Sequence, residues 1–122
     1  MTAMTESKWT GEYLLSEAAG ARARDIVTIK LGQRLEPGTV LGRETVSGLY
    51  RALDLVATDG TEAAAGILYA AADAVEAPVG ATAHVRACEV KGWELIFPAA
   101  ATSEQITAIA SDLARLGIIV RW

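Results

Sequence analysis

What this chain has little of argues against several classes of protein. It holds a single cysteine, Cys88, so no intramolecular disulfide can form, a usage that suits a reducing cytosol or a particle assembled inside a cell. With one histidine, His84, beside that cysteine, it falls short of the four ligands of a structural zinc site, and no metal or cofactor is expected. The longest charge-free apolar run, Ala63 to Ala72, covers ten residues, far below a membrane span. No basic-then-apolar leader opens the sequence, so no secretory signal peptide is expected. Basic charge is also scarce: eleven Lys and Arg stand against fifteen Asp and Glu, a net charge of −4. Residues 1–50 balance at six and six, and residues 51–122 carry five basic against nine acidic groups. Without a basic cluster interleaved with aromatics, direct contact with DNA or RNA is not expected.

Enzyme signatures are equally thin. There is no glycine loop ending in Lys-Ser/Thr and no G-x-G-x-x-G fingerprint. His84 and Cys88, four apart on an expected strand, would lie about 13 Å apart at ordinary strand rise, beyond hydrogen-bond reach. Both are read as core or interface residues. Glu89 with Glu94, and Asp59 with Glu62, could in principle pair as acid and base, but nothing around them suggests a desolvated pocket. No catalytic activity is expected.

What is present is a core-forming composition, 52% apolar and 21% charged over 122 residues, enough for one domain. Residues 1–24 lack a sustained period and concentrate their apolar side chains at Trp9, Tyr13, Leu14 and Leu15. They read as an exposed arm, mobile until something binds it, and removable without unfolding the remainder. From Asp25 to Leu31, Val27, Ile29 and Leu31 alternate with Thr28 and Lys30, the pattern of a half-buried strand. Pro37-Gly38 suits a type II turn before a short strand at Thr39–Leu41. Leu49–Val56 reads as a strand, Thr58-Asp-Gly-Thr61 as a tight turn, and Gly66–Ala72 as a returning strand covered on both faces. Pro78-Val-Gly80 reads as a turn, with strands expected at Thr82–Cys88 and at Trp93–Phe97, where Pro98 ends the ladder.

One helix closes the sequence, at about 103–116. Thr102-Ser-Glu-Gln105 fits a capping box, and Ile106, Ile109, Ala110, Leu113 and Leu116 form one apolar stripe. Gly117 stands where a left-handed cap belongs, with Ile118–Val120 as its hydrophobic contact or a final strand. Short strands, turns and one terminal helix predict a mainly β (α+β) domain over residues 25–122, carrying an extended N-terminal arm over residues 1–24.

The succession Gly11-Glu-Tyr-Leu-Leu-Ser-Glu-Ala18, Arg22-Ala-Arg-Asp-Ile-Val-Thr28 and Pro37-Gly-Thr-Val-Leu-Gly42 resembles the tailed-phage head decoration proteins of the bacteriophage lambda type. The likeness continues through Thr58–Thr61, Ala65–Leu68, Ala70–Asp73, Trp93–Pro98 and Thr102–Arg121. Two departures stand out: Gly11–Arg24 differs from the lambda arm, and Phe97 replaces a tryptophan. The resemblance implies a small β-tulip-like fold and a homotrimer on the outer surface of an expanded phage head at three-fold positions. The trimer would stabilise the shell against internal DNA pressure. It further implies the major capsid protein as partner, a virion location preceded by the host cytoplasm, and neither nucleic acid nor membrane contact. On this reading the capsid-binding residues are Trp9, Tyr13, Leu14, Leu15, Ser16 and Glu17.

The physics of such a role needs no catalysis. One short arm is a weak ligand, because ordering it opposes the few apolar contacts it makes. Three arms on one trimer gain avidity. An alternative of another class is a small β module recognising carbohydrate or peptide, but its seven aromatic residues are mostly expected inward or in the arm.

Overall fold

The alternation that turns Val27 and Ile29 to one side requires an apolar interior, and a small closed barrel supplies it. The structure is a computed structural model, and it describes residues 9–122. Ten strands and one helix follow in order: β1 (Leu14–Glu17), β2 (Arg24–Ile29), β3 (Arg34–Leu35), β4 (Val40–Arg43), β5 (Tyr50–Ala52), β6 (Ala64–Leu68), β7 (Ala72–Asp73), β8 (Val79–His84), β9 (Cys88–Lys91), α1 (Ser103–Arg115) and β10 (Ile118–Arg121). Strands β2, β5, β4, β6 and β8 close into a small barrel, while β1, β9 and β10 form a separate three-stranded sheet and β3 pairs with β7. The mainly β fold with one C-terminal helix is the one expected from the sequence.

Adjacent residues on β4 and β6 point to opposite sides, which divides the apolar residues into two clusters. Val27, Ile29, Leu41, Leu68 and Ala83 fill the barrel. Val40, Ile67 and Ala64 face outward, where they meet Ile109 and Leu113 of α1, Ile118 of β10 and Cys88 and Val90 of β9. The strand expected at Gly66–Ala72 runs instead over Ala64–Leu68; Gly66–Leu68 is covered on both faces for this reason, whereas Ala71, beyond the strand, is exposed. The helix starts with the expected reciprocal cap: the Gln105 amide donates to Thr102 Oγ1 at 3.2 Å, and the Thr102 amide to Gln105 Oε1 at 2.8 Å. It stops at Gly117, whose positive φ of 89° opens the way to β10.

Several local expectations give way to stronger pairings. The Leu49–Val56 strand contracts to Tyr50–Ala52, because Asp54 Oδ1 turns back to accept from the Val56 amide at 3.1 Å. The Asp59-Gly60 turn does not join two paired strands, since β4 lies between β5 and β6. Pro78–Gly80 is no turn: Val79 and Gly80 pair with Ile29 and Thr28 and open β8. The expected Thr82–Cys88 strand breaks after His84, where Ala87 adopts a left-handed φ of 53° and separates β8 from β9. Trp93–Phe97 is a 3₁₀ turn, Gly92–Glu94, followed by a single bridge between Ile96 and Thr39.

The largest correction concerns the arm. Residues 1–8 lie outside the described residues, but from Trp9 onward the segment is seated on the globule. Strand β1 pairs antiparallel with β9, with Leu14 opposite Val90 and Glu17 opposite Cys88. Tyr13 and Ala23 belong to the core cluster and Leu14 packs against it. The reason is aromatic and strand burial: a side chain the size of Tyr13 contributes more inside the core than in an unattached arm. Removing residues 1–24 would therefore take Tyr13 and Ala23 out of the cluster that lies outside the barrel.

Gly42 and Gly80 separate close approach from mere strand flexibility. A Cβ on Gly42 would lie 2.4 Å from the Thr61 carbonyl oxygen, whereas one on Gly80 would meet only Ile26 Cγ2 at 3.6 Å. Gly42→Ala should lower stability by about 1–3 kcal/mol in urea unfolding, and Gly80→Ala should be neutral or slightly stabilising, by up to about 1 kcal/mol.

Candidate functional site

The N-terminal segment reaches the globule through a chain of side chains that starts in the core and ends at the surface. Tyr13 is 1% exposed, and its hydroxyl lies 2.5 Å from His84 Nδ1. His84 closes β8 and is itself fully buried; its Nε2 lies 2.9 Å from Glu17 Oε1. A carboxylate only accepts, so in the singly protonated ring Nε2–H donates to Glu17 and Nδ1 accepts from the Tyr13 hydroxyl. Arg24, at the start of β2, grips the same carboxylate with two bonds, Nε to Oε1 at 2.9 Å and a terminal nitrogen to Oε2 at 2.6 Å. Its guanidinium sits 4.2 Å above the centre of the Tyr69 ring. Tyr13 and Tyr69 both meet His84 edge to face, with ring centres 5.6 and 5.5 Å away.

Backbone bonds complete the seat. The Gly11 amide donates to the Tyr69 carbonyl at 2.9 Å, the Lys91 amide to the Tyr13 carbonyl at 2.8 Å, and the Ala18 amide to the Ala87 carbonyl at 2.9 Å. Among the described residues no buried side-chain nitrogen or oxygen lacks a partner. A polar cluster satisfied to this degree fixes one arrangement of the chain.

The same environment makes the cluster chemically quiet. Burial pushes the Tyr13 phenol well above its ordinary range, so it stays protonated. Burial, with the Glu17 charge nearby, pushes the Cys88 thiol up to about 11, leaving little thiolate at neutral pH. The Arg24 hydrogen bonds, with a smaller contribution from His84, hold the Glu17 carboxyl down at about 2. His84 and Cys88 are core residues, as expected, although the strand thought to carry both ends between them. No group of three or more His, Cys, Asp or Glu among the described residues could hold a metal ion. Nor is any helix among them long and apolar enough to cross a membrane.

The six expected partner-binding residues divide into two sets. Tyr13, Leu14 and Glu17 are committed to the globule, through the core in the first two cases and the Arg24–His84 cluster in the third. Trp9 is 70% exposed and Leu15 is 48% exposed, both available at the surface. Ser16 donates to Glu89 Oε2 at 2.9 Å, and Arg121 holds the other oxygen of that carboxylate. Sequence reasoning placed His84 in the core or an interface but missed its neighbours Arg24 and Tyr69. The available signal was His84 itself, since a buried histidine needs hydrogen-bond partners.

A second exposed feature sits at the far end of the same sheet. Trp122 stacks on Phe97 with ring centres 6.1 Å apart and lies against Gly92, beside the exposed Trp93. This aromatic group joins residues from three places in the sequence and was not foreseen.

Tyr13→Phe should cost about 1–3 kcal/mol in urea unfolding, because it orphans a buried ring nitrogen of His84. Leu15→Ala should stay within about 0.5 kcal/mol of the parent. Equal losses in the two variants would contradict the division between seated and free residues.

A family model described as "Bacteriophage lambda head decoration protein D" matches residues 3–118, nearly the whole chain. No curated protein matches the chain closely enough to count as a relative. The match takes in the barrel, strands β1 and β9 and the buried cluster, and ends at the start of β10; the family is one of structural capsid proteins rather than enzymes. The chain therefore belongs to the bacteriophage lambda head decoration protein D family, whose members decorate the phage head.

Proposed function

We propose that the chain coats the outer surface of an expanded phage head as a homotrimer at three-fold positions and ties neighbouring subunits of the major capsid protein together. The family match over residues 3–118 carries the capsid assignment. Strand β1 supports the choice of contact segment. It is an edge strand whose only partner among the described strands is β9, it carries Leu15 outward, and Trp9 stands exposed just before it. An open edge flanked by exposed apolar side chains is suited to adding a further strand from a partner.

On this reading the contact set is Trp9, Leu15 and Ser16 together with residues 1–8, while Tyr13, Leu14 and Glu17 hold the segment in place. Holding it costs the free protein entropy in advance, so less is lost on binding. Three such segments on one trimer act at high effective concentration once the first has bound. A ligand that binds only the expanded lattice stabilises that lattice by mass action, which is how a trimer would oppose internal DNA pressure. Before assembly the protein would reside in the host cytoplasm.

Light scattering on the purified protein should give three times the 12.8 kDa chain mass. Co-sedimentation should recover it with expanded heads and not with unexpanded ones. The double variant Trp9→Ala, Leu15→Asp should bind heads at least about 10²-fold more weakly while melting within a few degrees of the parent, since it removes about 3–6 kcal/mol of apolar contact per segment at the interface alone. Undiminished decoration by that variant would place the contact elsewhere, with the Trp93–Trp122 group the next surface to test.

A further inference from the structure

The seat of the N-terminal segment depends on one carboxylate shared by two groups that carry or can carry positive charge. Glu17 Oε1 accepts from both Arg24 Nε and His84 Nε2, each at 2.9 Å, and Oε2 accepts from Arg24 again at 2.6 Å. The titratable and charged groups facing His84 come from every element around it. They are Tyr13 and Glu17 from the N-terminal segment, Arg24 from β2 and Tyr69 from the connection after β6, with Cys88 of β9 acting on Tyr13 and Glu17. Among the described residues Glu17 is the one carboxylate in that group. Arg24 and His84 are also directly paired across β2 and β8, so without Glu17 the half-buried guanidinium would lose its carboxylate partner and the buried imidazole the acceptor at Nε2.

The remaining attachments of the segment are weaker than those of the barrel. Strand β1 has four residues, hydrogen-bonds to β9 along one side only, and slips register between Leu14 and Ser16. Strands β2 and β8, by contrast, pair over six residues and each has a second neighbour in the barrel. Local opening begins where attachments are fewest.

We propose that the Tyr13–His84–Glu17–Arg24 cluster is an acid-sensitive latch: protonating Glu17 frees residues 9–17 from the globule while the barrel stays closed. The direction follows from linkage. The seated form holds the Glu17 carboxyl at about 2, below its ordinary 4.5, so the stabilisation is fully present above pH 4.5 and is lost as pH falls toward 2. Within that window the seating equilibrium weakens by about ten-fold per pH unit, to a total of about 300-fold. The latch acts in the free protein and does not depend on what the segment docks against.

Backbone NMR relaxation on the full chain, followed from pH 7 to pH 2.5, tests it. The expected result is that residues 9–17 gain fast motion below about pH 3 while β2, β8 and α1 keep the order they have at neutral pH. In Glu17→Gln the same segment should already be mobile at pH 7 and should no longer respond to acid. The latch is refuted if residues 9–17 stay ordered to pH 2.5, if they lose order together with β2 and β8, or if Glu17→Gln retains the parent's order and acid midpoint. Should Glu17→Gln not fold, the titration of the unsubstituted protein decides alone.

Discussion

His84 has no contact with solvent, and both of its ring nitrogens are engaged by side chains from the N-terminal segment. That constraint organises the rest of the molecule. A buried imidazole with an empty nitrogen would be costly, so as long as Glu17 is ionised Tyr13 and Glu17 are held in place beside β8. Tyr13 in turn joins the cluster of Ile67, Val90, Leu113 and Ile118 between barrel, sheet and helix. The segment that precedes the barrel in sequence is thereby made part of the barrel's outer wall.

Within nine residues this arrangement separates side chains that hold the segment from side chains left exposed. Side chains that point to the globule are large, satisfied and chemically inert, whereas Trp9 and Leu15 face away from it. A member of the lambda head decoration protein D family needs no reactive group. As the proposed trimer it would need a surface presented at the same place in each copy, because avidity multiplies only contacts that can be made together. A segment fixed by buried polar bonds meets that requirement better than a loose one, since little order remains to be imposed on binding.

Much of the fold was legible because its signals are local. The Thr102–Gln105 cap and the Ile109–Leu113 stripe lie within one helix, and the Val27–Ile29 alternation lies within one strand. The barrel was not legible, because β5–β4–β6 order depends on pairings between distant residues that leave no mark on the turn at Asp59-Gly60. Ala87 shows the same limit: nothing in an alanine announces a left-handed φ, yet that residue divides an apparently continuous alternation into β8 and β9. At the candidate site, apolar content drew attention to Trp9, Tyr13, Leu14 and Leu15. The sequence could not say which of them turn inward, because the deciding partners, His84, Arg24 and Tyr69, are contributed by other elements.

The central claim is that the N-terminal segment stays seated on its own globule and offers its outer edge to the shell. An electron cryo-microscopy reconstruction of decorated expanded heads, at a resolution that places side chains, tests it directly. The account predicts Tyr13 against His84 within each subunit, with Trp9 and Leu15 at the boundary with the major capsid protein. Finding Trp9 and Leu15 in solvent on the outer surface, or Tyr13 withdrawn from His84 and inserted into the shell, would contradict it.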